Sequence, residues 1–541
     1  MPHRKDVYIT DLPGRVVGGF KPAKGMGRGW VAVDYATPDF RGVGLATGHN
    51  SGAPELTIRL DMKGSWVLYL ALGCGDAVRA WLDGEKGFRE FHCQHGGWCL
   101  QEVRLHSANL TGRRLHIAPV HASRFATGDE HCFLGYIRAV PSDHAPKKSA
   151  RNLVATNDGY SWIALEGMES IRDVTKQFQP YRDSDFFRML WNPTGADVSG
   201  NHLSKAGTTM PFDLTHAYRR CDWEFKRTTR RILKGGGDIL KAAVAAARDV
   251  GMEIHFYIRP EAFFAPFPYD EVFTSRFLLK NPQWRCRDEF GREIMRMSYA
   301  FPQVQDHMLD YIQELLGYGP DGICFAFNRS LPMMICEELV LQAFEARHGR
   351  APRLPEEVDS AEMLEVRHFL LAHFIERLHG LLARRNKVFS AIVEFDNDYS
   401  RLMGLDVEGL VGRGLVESLY VTGYCPHSSF WKKVRKTGKV KVYSSIHYVH
   451  SKGTEARDPY NHQWQAGALK KILAAGFNGA FYWDTDSMHS NPYNWHVLRH
   501  GGSRKFLERV IARDPAAAPV FRQITEVKGA RRDRYDPMRS Y

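Results

Sequence analysis

Along the first 145 residues, short apolar stretches at 56–60, 66–72, 115–120 and 133–140 recur between Gly, Asp and Asn turns. No amphipathic segment of helix length separates them, which predicts an all-β sandwich over 1–145. The polar, Pro-containing run Pro141-Ser-Asp-His-Ala-Pro-Lys-Lys-Ser-Ala-Arg151 then predicts a linker, placed at 146–160. Beyond it the period changes. Phe186–Trp191 predicts a strand, and Gly235-Gly-Gly-Asp238 opens a helix with Asp238 as its N-cap. Leu240, Ala243, Val244 and Ala247 form that helix's apolar face, and Gly251 closes it. Further strands are predicted at 252–258, 294–297, 322–327, 388–394, 415–421, 439–446 and 478–483. Helices at 302–316, 359–385 and 464–475 fall between them. That alternation predicts an α/β fold, a (β/α)8 TIM barrel over 161–515, with a closing strand and tail over 516–541. A doubly wound sheet fits less well, because no Gly-x-Gly-x-x-Gly follows the first strand.

Composition narrows the class without naming a chemistry. The 541 residues carry 73 Lys+Arg against 61 Asp+Glu, and the resulting charge of +12 is spread over a long chain. The basic runs Lys432-Lys-Val-Arg-Lys436 and Arg531-Arg-Asp-Arg534 are short, so no nucleic-acid partner is expected. No apolar run approaches the ~18–20 residues of a membrane span, so no membrane partner is expected either. The opening residues lack an apolar secretory segment, which fits a cytoplasmic protein or an exported one already trimmed. Nine irregularly spaced cysteines read as reduced thiols. The run His92-Cys93-Gln-His95, with Cys99, His131 and Cys132, fits zinc spacings poorly; no metal and no cofactor are expected.

In a barrel of this kind, chemistry belongs to the C-terminal strand ends. Trp191-Asn192-Pro193 ends one strand and leads into a long loop with Asp197, Asn201 and His202, which reads as a substrate-site element. In Glu253-Ile-His-Phe-Tyr-Ile-Arg-Pro-Glu261, alternation sets His255, Tyr257 and Arg259 on the face opposite Ile254, Phe256 and Ile258. That polar set either lines a ligand-filled mouth or forms a satisfied structural network. Cys324, Ala326 and Asn328 face inward by the same parity, with Arg329 at the rim. Two segments end in carboxylates: Ile392-Val-Glu394-Phe-Asp396, and Phe481-Tyr-Trp483-Asp484-Thr-Asp486. Carboxylates across a barrel mouth beside aromatics suit glycoside hydrolysis, one protonating the leaving oxygen and the other attacking or activating water. An Asp in such a place also caps the next helix, so each carries that simpler explanation.

Several motifs recur in order: Asn281-Pro-Gln-Trp, Asp288-Glu-Phe-Gly-Arg292, Ser298-Tyr-Ala-Phe-Pro302 and Asp321-Gly-Ile through Phe-Asn-Arg329. The segments 404–416 and 476–484 complete the set. Together they resemble the bacterial family-10-like glycosyl hydrolase barrels, in which a β-sandwich precedes a TIM barrel. The resemblance implies carbohydrate hydrolysis by acidic residues at strand ends. One departure stands out: relatives carry an acid inside the strand where this chain has Ala326, and Cys324 replaces a polar or acidic residue.

The sequence therefore points to a glycoside hydrolase of oligo- or polysaccharides. Glu394 is the first candidate acid or base and Asp484 its partner, with Glu261 and Asp396 in reserve. Trp191, Tyr257, Tyr424 and Trp483 are expected to stack on or position sugar. Asn192, His255, Arg259, Asn328, Arg329 and Asp486 are expected as polar contacts. Arg188, Arg259 and Arg329 at the mouth either receive an anionic saccharide or pair with Glu261, Glu394 or Asp484. The alternative is a carbohydrate-binding barrel that has lost its chemistry, which Ala326 favours. A polyanion-binding scaffold would instead show a contiguous basic face.

Overall fold

The computed structural model describes the chain except residues 1–5, 49–50, 74–75, 86, 93–98, 121–130, 142–149, 165–167, 169, 211–218, 330–331, 447–461, 486–491, 514–520 and 530–541. Eight parallel strands close a barrel: Leu153–Asn157, Phe186–Trp191, Glu253–Ile258, Gly322–Ala326, Val388–Val393, Ser418–Val421, Lys441–Ser445 and Gly479–Tyr482. Helices pack outside it, including Ile239–Asp249, where Asp238 Oδ1 accepts the Lys241 amide at 2.9 Å as the capping pattern predicts. The (β/α)8 expectation is met, with two corrections to which segments build it. The first strand is Leu153–Asn157, inside the stretch expected to be linker. The expected strand at 294–297 is instead one arm of a hairpin, Glu293–Met297 against Arg285–Arg287, outside the barrel.

Parity along each strand divides the core. Met189 and Trp191 face the helix layer, as do Ile254, Phe256 and Ile258. Leu190, Tyr257, Cys324, Ala326, Ile392, Tyr420, Tyr443, Phe481 and Trp483 fill the barrel interior. This is a packed interior rather than a pore.

Ahead of the barrel, an eight-stranded antiparallel sheet and a four-stranded sheet enclose a second apolar core, the expected sandwich. The chain's last described strands return to it: Phe521–Gln523 pairs with Cys99–Asn109, and Glu526–Gly529 with Val31–Ala36. Arg522 fastens that return. Its Nε donates to the Tyr136 hydroxyl at 2.8 Å, and its guanidinium lies over the Tyr8 and Phe40 rings. Half-buried Arg499 of the barrel lies within electrostatic range of Arg104 and Tyr69 of the sandwich and of Asp183 and Asp185 of the barrel. Burial, and then the Arg104 charge, push the Arg499 guanidinium down to about 10. Asp185 precedes a strand's first residue, so this contact lies at the N-terminal end of the barrel.

The same end is plugged by Arg188, which corrects its expected place at the mouth. Its Nη2 donates to Glu253 at 2.7 Å, and its Nη1 donates to Glu417 at 3.1 Å and to the Tyr420 hydroxyl at 2.7 Å. Glu253 opens its strand and Glu417 immediately precedes the next but two, so these bonds define the floor. His255 sits in the same interior, fully buried, with Nδ1 3.0 Å from the Ser390 hydroxyl. Burial, and then the Arg188 charge, hold its imidazole well below the usual histidine range, so it is neutral. It is part of the barrel packing below the mouth, not a substrate contact.

Removing one member of a buried ion pair leaves the others uncompensated. Arg188→Ala is expected to lower stability by about 3 kcal/mol, read from the urea midpoint at unchanged slope. A loss under about 1 kcal/mol would show that the floor network is dispensable.

Candidate functional site

At the opposite end, the strand termini bring a compact group together. The first strand runs apolar through Leu153, Val154 and Ala155, then ends Thr156-Asn157-Asp158-Gly159. The last runs through Ala480, Phe481 and Tyr482 to Trp483-Asp484. These two strands are neighbours, and side-chain bonds tie their ends. The Asp484 amide donates to Thr156 Oγ1 at 2.7 Å, and the Thr485 hydroxyl donates to the Thr156 carbonyl at 2.6 Å. Asp484 holds φ +46, a left-handed conformation that Asp tolerates better than bulkier residues. Asp158 accepts the Tyr160 amide at 2.9 Å, the Ser161 amide at 2.8 Å and the Ser161 hydroxyl.

The mouth floor between them is aromatic. Trp483 packs on Tyr257 with ring centroids 6.0 Å apart, and Arg329, exposed in its turn, lies over the Trp483 ring at 5.4 Å. Tyr257 is fully buried, with the Asn192 side chain hydrogen-bonded to its hydroxyl. Arg259 Nε and Asn328 Oδ1 are buried atoms with no hydrogen-bond partner in the protein.

Asp484 carries the electrostatic signature of the group. Burial, and then the like charge of Asp158, push its carboxyl up from 3.8 to about 6, against the pull of Arg259 and Arg329. A carboxyl that stays protonated into the neutral range is suited to donate a proton. Tyr257 is raised as well, by burial before any charge, and stays a neutral phenol.

The remaining expected residues divide. Glu394 ends its strand with inward parity, and its Oε2 accepts the Thr422 hydroxyl at 2.8 Å on another side of the mouth. Asp396 is exposed and accepts the Asp398 and Tyr399 amides at 3.0 and 3.2 Å; it caps the helix Asn397–Leu402. Capping accounts for it, and its reserve catalytic role falls away. Glu261 is sealed, with no side-chain exposure, beside the hairpin residue Arg296 at 3.9 Å. Burial holds its carboxyl well above the ordinary range, but substrate does not reach it there. Trp191 faces the helix layer, stacked on Phe178 at 5.5 Å with Nε1 bonded to Asn201, so it cannot stack on sugar. Tyr424 packs half-buried against that same layer. Asp486 lies outside the described residues, as does most of the Cys/His run at 93–98. Among the described residues, no group of three His, Cys, Asp or Glu is placed to hold a metal ion.

The loop after Trp191 is a strut rather than a substrate element. Asp197 is buried and takes bonds from the Ser275 hydroxyl and His307 Nε2, each at 2.8 Å; His202 Nε2 meets Glu314 at 2.6 Å. Asp158 was absent from the sequence candidates because its strand lay in the expected linker. The signal was nonetheless there: an apolar run ending in a carboxylate, as in the strands ending at Glu394 and Asp484.

No family model and no curated protein matches the chain. Among solved structures it is similar to alpha-L-fucosidase isoenzyme 2 from Paenibacillus thiaminolyticus, at 14% identity and a TM-score of 0.42 over 67% of this chain and 50% of that one. It is similar also to a beta-galactosidase from the psychrophilic Marinomonas ef1, at 11% identity and a TM-score of 0.41 over 66% and 60%. A third is the PgaB (BpsB) glycoside hydrolase domain from Bordetella bronchiseptica, at 10% identity and a TM-score of 0.40 over 65% and 98%. The chain thus spans half and three-fifths of the first two structures' lengths.

Proposed function

We propose that this protein is a glycoside hydrolase acting on an anionic oligo- or polysaccharide at the C-terminal mouth of its barrel. The observation that carries the reading is Asp484: a carboxyl pushed up to about 6, set beside Trp483 in a mouth with unanswered polar groups. Protonated Asp484 donates to the glycosidic oxygen as the bond to the anomeric carbon breaks, and a second carboxylate completes the displacement. Arg259 and Arg329 flank this acid and supply the preference for a carboxylate or sulfate on the sugar. Glu394, with Thr422, faces the mouth from another side and offers hydrogen bonds to sugar hydroxyls. A barrel that binds saccharide without cleaving it shares every contact except the raised acid. The raised acid is therefore what favours hydrolysis over Ala326's hint of lost chemistry.

Reducing-end release across neutral and acidic glycans is expected to find cleavage, strongest on acidic chains. Asp484→Asn should lower kcat by roughly 100- to 10,000-fold with KM little changed. Full activity in that variant, or tight saccharide binding by a wild-type chain that cleaves nothing, would overturn the reading. Because the acid must carry its proton, kcat/KM should fall as pH rises through about 6.

The same carboxyl has a stability consequence of fixed sign. Its folded-state value lies above its unfolded one, so its contribution is full below 3.8 and is lost as pH rises through about 6. Asp484→Asn should therefore gain stability relative to wild type as pH rises through those values, by about 3 kcal/mol at pH 7. Thermal melts at acid and neutral pH check it; a difference that does not vary with pH would contradict it.

A further inference from the structure

We propose that Trp483 and Thr156 are positioning residues that together orient the Asp484 carboxyl for proton transfer; this rests on the glycosidase reading above. Thr156 holds the backbone. It is fully buried on the first strand, where its Oγ1 accepts the Asp484 amide at 2.7 Å and its carbonyl accepts the Thr485 hydroxyl at 2.6 Å. Asp484 is thus held at its own amide and through the next side chain. The hold matters because φ at Asp484 is +46, and a residue other than glycine keeps such a backbone only where its surroundings impose it.

Trp483 holds the side chain. Its indole N–H donates to the Asp484 carboxyl. The ring itself is committed elsewhere. Arg329 lies over it at 5.4 Å, and Tyr257 and Phe481 pack against it with centroids 6.0 and 5.9 Å away. With only 7% of its surface exposed, Trp483 has no face left for a sugar ring. Its edge, rather than its face, is what acts on the reaction.

The indole is a donor only, so the carboxyl oxygen that it meets must accept. In protonated Asp484 that oxygen is the carbonyl one, which leaves the O–H on the other oxygen for the glycosidic bond. As the proton passes from Asp484 to the departing oxygen, a carboxylate forms beside the same N–H. A hydrogen bond to a carboxylate is stronger than one to a neutral acid, so Trp483 stabilises the group most as the proton leaves.

The test uses the full chain and the aryl glycoside that the wild type cleaves fastest from a panel of neutral and acidic ones. Rates are compared at about pH 5, below the midpoint of the acid. Trp483→Phe keeps an aromatic ring and removes the N–H. It should lower kcat by roughly 10- to 100-fold with KM little changed. Because the lost bond favoured the ionised form, the alkaline limb of its pH profile should lie above the wild-type position near 6. Thr156→Val and Thr156→Ala remove the acceptor and should lower kcat by a similar factor. Thr156→Ser, which keeps the oxygen, should recover most of that loss, with cooperative melting throughout. If the wild type cleaves but Trp483→Phe keeps its kcat and its limb, or Thr156→Ala is as active as Thr156→Ser, the assignment is overturned and the hydrolase reading survives. A wild type inert across the panel overturns both.

Discussion

The barrel closes where Leu153–Asn157 pairs with Gly479–Tyr482, strands separated by more than 300 residues of chain. The approach is close enough that a Cβ on Gly479 would lie 1.6 Å from the Asn152 carbonyl, which only glycine permits. A closed sheet has no free edge, and this pairing is the one that closes it. Beyond the last backbone pair, the Thr156 side chain and carbonyl carry the contact on to Asp484 and Thr485. The seam that completes the fold thereby also fixes the backbone at Asp484.

The floor of the barrel is organised by Arg188, which is answered by Glu253, Glu417, Ser418 and Tyr420, with His255 kept neutral. At the mouth, Arg259 Nε and Asn328 Oδ1 have no hydrogen-bond partner in the protein, and Asp484 is charged only at a cost. On the floor side, Arg499 of the barrel lies within electrostatic range of Arg104 and Tyr69 of the sandwich.

Much of the fold was legible because period and parity are local. The switch from short alternating runs to strand–helix repeats marked the two domains, and the cap at Asp238 marked a helix start. Parity placed Tyr257, Cys324 and Ala326 inside the barrel correctly. What was not legible was depth and closure. Parity puts Arg188 and His255 inside but does not say that they sit below the mouth. Leu153–Asn157 is five residues long and abuts a polar run, so nothing local marks it as the strand on which closure depends. The polar flank reads as linker, and the apolar arm at 294–297, though it pairs outside the barrel, has the pattern of a barrel strand. Trp191 and Asp396 erred for a different reason: an aromatic or an acid at a strand end has an ordinary structural use, in packing or capping, and each took it.

The claim on which this picture turns is that burial at the mouth, and secondarily the Asp158 charge, keeps Asp484 protonated into the neutral range. Carboxyl resonances of the full chain labelled with 13C-aspartate, titrated from about pH 3 to 9 and assigned with Asp484→Asn, read it directly. The Asp484 resonance is predicted to titrate near 6 and to move towards 3.8 in Asp158→Asn, where the neighbouring charge is gone. A wild-type midpoint near 3.8, or one that moves upward in Asp158→Asn, would contradict it.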